Sequence, residues 1–140
     1  MKYPTPMVLL MFGLFAASSA SSGEADAALA EMGRPVFQRY CASCHGSAAR
    51  GDGPGAPTLR VPPADLTLIA LRREGVFPDA EIARFIDGRF ELPSHGTREM
   101  PIWGTRFGSN IPESDLAESV TRGRIALLIE YLKSIQRSDL

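Results

Sequence analysis

The sequence has few of the side chains from which metal sites are usually built. Its 140 residues include two cysteines, Cys41 and Cys44, and two histidines, His45 and His95. A structural zinc site takes four ligands, most often cysteine and histidine. A zinc site on the two cysteines would need two further ligands. His45 follows the second cysteine directly, and His95 is the only other histidine. This scarcity counts against zinc.

The sequence also lacks an excess of charge and clear strand patterns. It has 15 basic and 16 acidic residues, a formal net charge of −1. Nucleic-acid-binding domains carry a basic patch or stripe, so a nucleic-acid partner is not expected. We find no internal repeat, no hairpin signal, and no run of β-branched residues before the cysteines that would indicate a thioredoxin-like βαβ unit. The chain is therefore predicted to be all-α.

The motif that is present, Cys41-Ala42-Ser43-Cys44-His45, is typical of covalent haem c attachment. Two thiols three positions apart on one helical turn can each add to a vinyl group on one edge of a porphyrin. His45 then lies beneath the iron as the proximal ligand. The alternatives for the cysteine pair are a dithiol redox centre, half of a zinc site or a small disulfide. The motif predicts one covalently bound haem c and its iron.

The N-terminus has the form of a secretory signal. Lys2 precedes an apolar stretch of eleven residues at 7–17, and Ser18-Ser19-Ala20 offers small residues for cleavage. A membrane-spanning helix needs about 20 apolar residues, so an uncleaved anchor is the less favoured alternative and no membrane span is expected after cleavage. In bacteria, haem c is attached to its protein on the outer side of the inner membrane. Together with the export signal, this predicts a periplasmic location. We divide the chain into a signal at 1–20, a tether or frayed helix start at 21–32, and the main domain at 33–140.

Apolar periodicity and cap residues predict four helices in the main domain. The first firm helix is expected to begin near Pro35, since proline is tolerated at the first helical position, and to end in the haem motif. Two short helices follow at residues 65–75, with Asp65 as the cap, and at 78–88. The longest helix comes last, with Ser114 as its N-cap.

Two segments rich in glycine and proline, residues 46–63 and 89–112, separate these helices. Neither composition suits a regular helix or a central strand. The first is predicted to be an ordered loop along the proximal edge of the haem, because its glycines let the backbone approach a flat ring closely. A flexible linker is the alternative. The second segment carries His95, Met100 and Trp103.

Met100 is the candidate for the sixth ligand of the iron. Once the signal is removed, Met32 is the only other methionine, and it lies nine residues before Cys41, on the proximal side. Pro101 restricts the backbone of Met100 to an extended conformation. A thioether favours reduced iron and raises the potential relative to two imidazoles. Two alternatives remain: Met100 as an ordinary core side chain, and His95, from the same loop, as the ligand.

The haem motif, the Met100-Pro101 pair and the amphipathic helix after them resemble the class I, mitochondrial-type cytochromes c, over roughly residues 33–136. Residues 98–104 are similar to the methionine loop of small bacterial periplasmic monohaem cytochromes c. The resemblance implies a cytochrome c-like fold, with four to five helices wrapped around one haem. It also implies single-electron transfer with His45 and Met100 as iron ligands, between a donor and an acceptor redox protein.

The resemblance implies further roles for particular residues. In this family a proline carbonyl accepts a hydrogen bond from the ligand histidine, and Ala56-Pro57-Thr58-Leu59 matches its Gly-Pro-x-Leu stretch, with alanine in place of glycine. Pro57 is therefore the candidate partner of His45, and Pro54 is the alternative. The family's contact between its first and last helices corresponds to Gly33, Phe37 and Tyr131.

Trp103 is the candidate donor of an indole N–H to a haem propionate, again by resemblance. Further candidates for the propionates are Tyr40, Arg98 and Arg106. The alternative for Trp103 is a plain packing role, which is common for buried tryptophan.

The sequence as a whole predicts a soluble periplasmic electron carrier rather than an enzyme, since both iron ligands stay bound and no substrate is transformed. Two other functions remain open. One is a haem enzyme or gas sensor with an open or labile sixth position. The other is the cytochrome c subunit of a larger dehydrogenase or oxidase complex, in which the partner is permanent.

Overall fold

The computed structural model describes residues 22–90 and 99–138. Its helices are α1 (Ser22–Tyr40), α2 (Ala42–His45), α3 (Asp79–Asp87), α4 (Trp103–Arg106) and α5 (Ser114–Ser134). Short 3₁₀ turns lie at Ala56–Thr58, Leu66–Leu68 and Leu71–Arg73. These two ranges contain no β-strand, so the all-α prediction is confirmed. No helix within them has the length and apolar character needed to cross a membrane.

Helices α1 and α5 cross at Gly33, where there is no room for a side chain. A Cβ atom on Gly33 would overlap the carbonyl oxygen of Leu127 and lie 2.9 Å from the Cβ of Tyr131. One turn further along α1, the ring of Phe37 lies 5.1 Å from that of Tyr131, centroid to centroid. The predicted contact between the first and last helices is confirmed.

The prediction that the first helix begins near Pro35 is wrong. Helix α1 begins at Ser22, and Pro35 lies inside it on the exposed side. Proline has no N–H to donate to the carbonyl four residues earlier, so the helix continues past Pro35 with one bond fewer. The residues of this first part that pack inward, Ala30 and Gly33, are small. The prediction from sequence rested on the spacing of large apolar side chains and therefore missed this first part of α1.

The predicted helix at 65–75 is two separate 3₁₀ turns, although its cap is correct. The Asp65 carboxylate accepts from the backbone N–H of Thr67, at 2.9 Å. An α-helix here would pair the N–H of Ala70 with the carbonyl of Leu66. Instead the side-chain amide of Gln136 bonds to both groups, accepting from Ala70 and donating to Leu66, each at 2.8 Å. This contact from the C-terminal segment takes the place of an α-helical bond.

The other two predicted helices are present. Helix α3 is followed by Gly88 in the left-handed conformation, with φ of 69°. Helix α5 has Ser114 as its first residue, so the cap position belongs to Glu113, whose side chain makes no capping bond. The N-cap prediction was thus displaced by one residue.

An ion-pair cluster joins α3 to α5. The guanidinium of Arg89 donates to Asp87 at 2.7 Å and to Glu118 at 2.6 Å. These bonds hold the pKa of both carboxyl groups below their ordinary values. Helix α4 fits against the cluster at Gly104, where a Cβ would overlap the Asp87 carboxylate. Helices α3, α4 and α5 are thereby held around one side of a large cavity.

Candidate functional site

The cavity has a volume of about 1180 Å³, above the roughly 300–1,000 Å³ of most small-molecule sites. Its wall brings together five of the six residues predicted for the site: Cys41, Cys44, His45, Met100 and Trp103. Apolar side chains from several elements form much of the remaining wall, among them Ile69, Ile82, Ile86, Leu128 and Leu132. The cavity can therefore hold a large apolar group that approaches both thiols.

A short break between α1 and α2 places the two cysteines on this wall. Cys41 lies between the helices, and its carbonyl accepts from the N–H groups of Cys44 and His45, at 3.2 and 2.9 Å. Burial and the neighbouring Cys44 raise the pKa of the Cys41 thiol to about 12. A dithiol redox centre needs a lowered pKa to supply a thiolate near neutral pH. The environment of Cys41 therefore disfavours the dithiol alternative.

The surroundings of His45 orient its ring and favour the neutral imidazole. Its Nδ1 lies 3.3 Å from the carbonyl oxygen of Ala64, and donation of Nδ1–H to that oxygen leaves Nε2 free to bind a metal. Burial lowers the pKa of the ring, and the bond to Ala64 opposes this only in part. The neutral form is the one that coordinates iron.

The hydrogen-bond partner of His45 differs from the predicted one. Pro57 was expected to supply the carbonyl, but it lies exposed in the turn Ala56–Thr58 and does not line the cavity. The chain returns to the motif later, where the N–H of Leu66 donates to the carbonyl of Ala49 at 2.8 Å. This return brings Ala64 beside His45. The one sequence signal for it is the Pro62-Pro63 pair, which favours extended backbone before Ala64.

The glycine-rich segment after the motif is an ordered loop, as predicted. The N–H of Gly53 donates to the carbonyl of Cys44 at 3.1 Å, and that of Gly55 to the carbonyl of Ser43 at 2.8 Å. A Cβ on Gly53 would lie only 2.5 Å from the Ser43 carbonyl oxygen. Close approach to the motif thus requires glycine there, and the linker alternative is wrong.

Met100 reaches the cavity from the short segment between residue 99 and α4. Its half-buried side chain lines the cavity and packs against the core. Met32 does not line the cavity and is 57% exposed, in agreement with its exclusion as a ligand. His95 and Arg98 lie outside the described residues.

Trp103 combines a packing contact with a position on the cavity wall. Its ring is stacked on Phe107, with centroids 5.3 Å apart, and meets Tyr40 edge-on at 5.7 Å. The guanidinium of Arg106 lies 5.9 Å from the Trp103 ring. Arg39 also lines the cavity, with its guanidinium 5.6 Å from the Tyr40 ring. Arg39 was not predicted as a site residue. A basic residue two positions before Cys41 was the signal that could have identified it.

These observations fit a covalently bound haem c. Two thiols lie on one wall, a neutral imidazole follows them, and a thioether reaches the same cavity from a distant segment. Apolar side chains suit the porphyrin faces, and the arginines suit its carboxylates.

Comparisons with known proteins agree with this fit. The model of the cytochrome c family matches residues 30–136. A stretch of 84 residues is 39% identical to the cbb3-type cytochrome c oxidase subunit FixPc of Rhizobium leguminosarum bv. viciae. That match covers 59% of this chain and 24% of the relative's length. No solved structure matches the chain significantly. The chain therefore belongs to the cytochrome c family, with its all-α fold, its covalent haem c and its role in electron transfer.

Proposed function

We propose that the chain is a one-electron carrier of the bacterial periplasm, with a single haem c bound through Cys41 and Cys44. In this proposal His45 and Met100 would be the two side chains that bind the iron. The observation that carries it is that Met100 lines the same cavity as the haem motif, although 55 residues separate it from His45. The bound haem supplies reversible one-electron exchange at its iron.

The chain's own residues keep the coordination fixed and the site dry. The Ala64 carbonyl orients the His45 ring, because a ligand histidine is set by the bond that its other nitrogen makes. The apolar wall, including Ile86 and Leu128, excludes water and so raises the potential. Trp103, Tyr40, Arg39 and Arg106 line the cavity and are the candidates to donate hydrogen bonds to the haem propionates, whose charge the two arginines would neutralise.

The periplasmic address rests on residues 1–20, which have the charge, apolar length and small residues of a cleaved signal. N-terminal sequencing of the exported protein should find a start after Ala20 or a few residues later. An intact apolar stretch in a membrane fraction would instead make this an anchored cytochrome.

Substitution of Met100 tests the proposed coordination. The wild-type ferric protein should be low-spin with a weak far-red sulfur-to-iron band, and its ferrous form should bind carbon monoxide poorly. Met100→Ala removes the soft ligand while the covalent haem and His45 remain. It should therefore become high-spin, bind carbon monoxide readily, and have a lower potential. Absorption spectroscopy and potentiometry measure all three changes.

His95→Ala is the matched control and should alter none of these properties. A high-spin wild type with rapid carbon monoxide binding would contradict the carrier and favour a sensor or enzyme. Loss of the low-spin spectrum in His95→Ala alone would show that the ligands are two histidines.

A second candidate function is that of a permanent cytochrome c subunit in an oxidase complex. The observation that favours it is the similarity to a protein that is itself an oxidase subunit. Size-exclusion chromatography of the tagged native chain separates the two. Elution as a small protein from the periplasm supports the free carrier, and co-elution with terminal oxidase subunits from solubilised membranes supports the subunit.

A further inference from the structure

The carboxylate of Glu99 bridges two segments that are far apart in sequence. Its two oxygens accept from the backbone N–H groups of Arg60 and Val61, at 2.9 and 3.0 Å. The Arg60 guanidinium adds a longer contact of 3.4 Å. Hydrogen bonds to a charged acceptor are stronger than those between neutral groups. The carboxylate therefore ties residue 99 to residues 60 and 61.

One of the two tied segments carries the proposed ligand Met100, and the other carries the hydrogen-bond partner of the proposed ligand His45. Met100 follows Glu99 directly. On the other side, Val61 lies three residues before Ala64, whose carbonyl oxygen faces His45 Nδ1. The bridge thus fixes the methionine segment against the segment that orients the histidine.

The backbone bonds, rather than the ion pair, carry this contact. The Arg60 side chain is 74% exposed, whereas that of Glu99 is 23% exposed. An exposed, long ion pair contributes little.

Other carboxylates in the described residues make closer ion pairs. Glu81 pairs with Arg73 at 2.5 Å on the cavity wall, but within the described residues it bonds to no backbone N–H beside a proposed iron ligand. Glu118 pairs with Arg89 at 2.6 Å, away from the cavity.

We propose that Glu99 is a positioning residue for Met100, which keeps the thioether in place for the iron by anchoring its segment to Arg60 and Val61. This inference rests on the proposed His45 and Met100 ligation. Without the anchor, the segment carrying Met100 has more conformations in which the sulfur is away from the iron. Since sulfur is a soft ligand, the harder ferric iron shows this loss first.

The measurable consequence is easier entry of a competing ligand. An added ligand binds only the fraction of molecules in which Met100 has left, so its apparent affinity rises in proportion to that fraction. Imidazole added to the ferric holoprotein is the probe.

Glu99→Gln is the decisive variant. The amide has the same shape as the carboxylate, but its NH₂ group is a donor and would face a backbone N–H, so one of the two hydrogen bonds is lost. We expect apparent imidazole affinity to rise about tenfold and the far-red band to weaken. Arg60→Ala keeps both backbone donors and should change the affinity little. Glu118→Gln should lower the thermal midpoint without changing imidazole affinity, which separates positioning from general stability.

The Met100→Ala background distinguishes an effect through Met100 from a direct effect on the cavity. With the competitor removed, Glu99→Gln should add no further gain in imidazole affinity. An equal gain in both backgrounds would overturn the proposal. Equal imidazole affinity of a low-spin wild type and Glu99→Gln would overturn the positioning role alone, whereas a high-spin wild type would overturn both this role and the proposed ligation.

Discussion

At the scale of single residues, the proposed ligand His45 depends for its orientation on the backbone carbonyl of Ala64, and a glycine keeps that carbonyl in place. Gly51 has φ of +81°, and a Cβ there would overlap the carbonyl oxygen of Pro63. We expect Gly51→Ala to push Pro63 and Ala64 away and to lengthen the 3.3 Å contact with His45 Nδ1. The imidazole then becomes a weaker donor to ferric iron, so the reduction potential should rise. Spectroelectrochemistry of the holoprotein measures this shift.

Pro57→Ala is the control for this experiment. Pro57 is exposed and lies outside the cavity, so its replacement should leave the potential unchanged. A potential that shifts with Pro57→Ala and not with Gly51→Ala would restore Pro57 as the partner of His45.

The site residues that the sequence predicted are those with a signal in residue type and spacing. Cys41, Cys44 and His45 lie within one turn, so their geometry is nearly independent of the rest of the fold. Met100 was chosen as the candidate ligand by elimination, and its side chain lines the same cavity as the haem motif. The partner at Ala64 was not predictable in the same way, because any residue type can offer a backbone carbonyl. Glu99 likewise accepts from backbone groups 38 and 39 residues away.

At the scale of elements, the crossing of α1 and α5 depends on the absence of a side chain at Gly33. Gly33→Ala places a methyl group against the Leu127 carbonyl and must move the helices apart. We expect the free energy of unfolding to fall by about 1–3 kcal/mol, the usual cost of overpacking. Chemical denaturation of the holoprotein, followed by circular dichroism, gives the value.

Gly23→Ala is a matched substitution on the same helix. Nothing lies within 4 Å of the position of its Cβ, and alanine favours a helix over glycine by roughly 0.5–1 kcal/mol. Its stability should therefore be unchanged or slightly higher. A similar loss from both substitutions would show that the crossing at Gly33 is not the cause.

The elements that periodicity predicted are those whose packing faces carry large side chains. Helices α3 and α5 bury Ile86, Ile125 and Leu128 at helical spacing, and both were predicted. The first half of α1 packs through small residues and was missed. At residues 66–70 the local pattern favours a helix, yet Gln136 bonds to the groups that would close the turn. A contact across about seventy residues cannot be seen in a local pattern.

At the scale of the whole molecule, the core and the haem cavity share their side chains. Phe37, Trp103 and Leu128 are buried in the core and also line the cavity. The fold is therefore arranged around a volume that its own chain does not fill. The sequence motif predicted a haem, which fits this volume, and the all-α fold was predicted separately, from helical periodicity and the absence of strand and hairpin signals.

Stability of the domain should then depend on the covalent haem. Without the haem, apolar side chains of the cavity wall such as Ile69, Ile86 and Leu132 lose their packing partner, and losses of this kind are large against a total stability of about 5–15 kcal/mol. A chain starting at Ser21 and made in the cytoplasm, where haem is not attached, should lack near-ultraviolet circular dichroism, bind a hydrophobic dye and unfold without a sharp transition.

The exported holoprotein is the comparison, and it should unfold cooperatively. Cooperative unfolding of the haem-free chain, with a near-ultraviolet signal from Trp103, would show that the packing of α1 on α5 is sufficient by itself. The Gly33→Ala substitution, made in both the holoprotein and the haem-free chain, decides between these two outcomes. If the haem provides most of the stability, the holoprotein with this substitution stays folded while the haem-free chain loses its residual helix, because in that chain the α1 and α5 crossing is the main packed contact that remains.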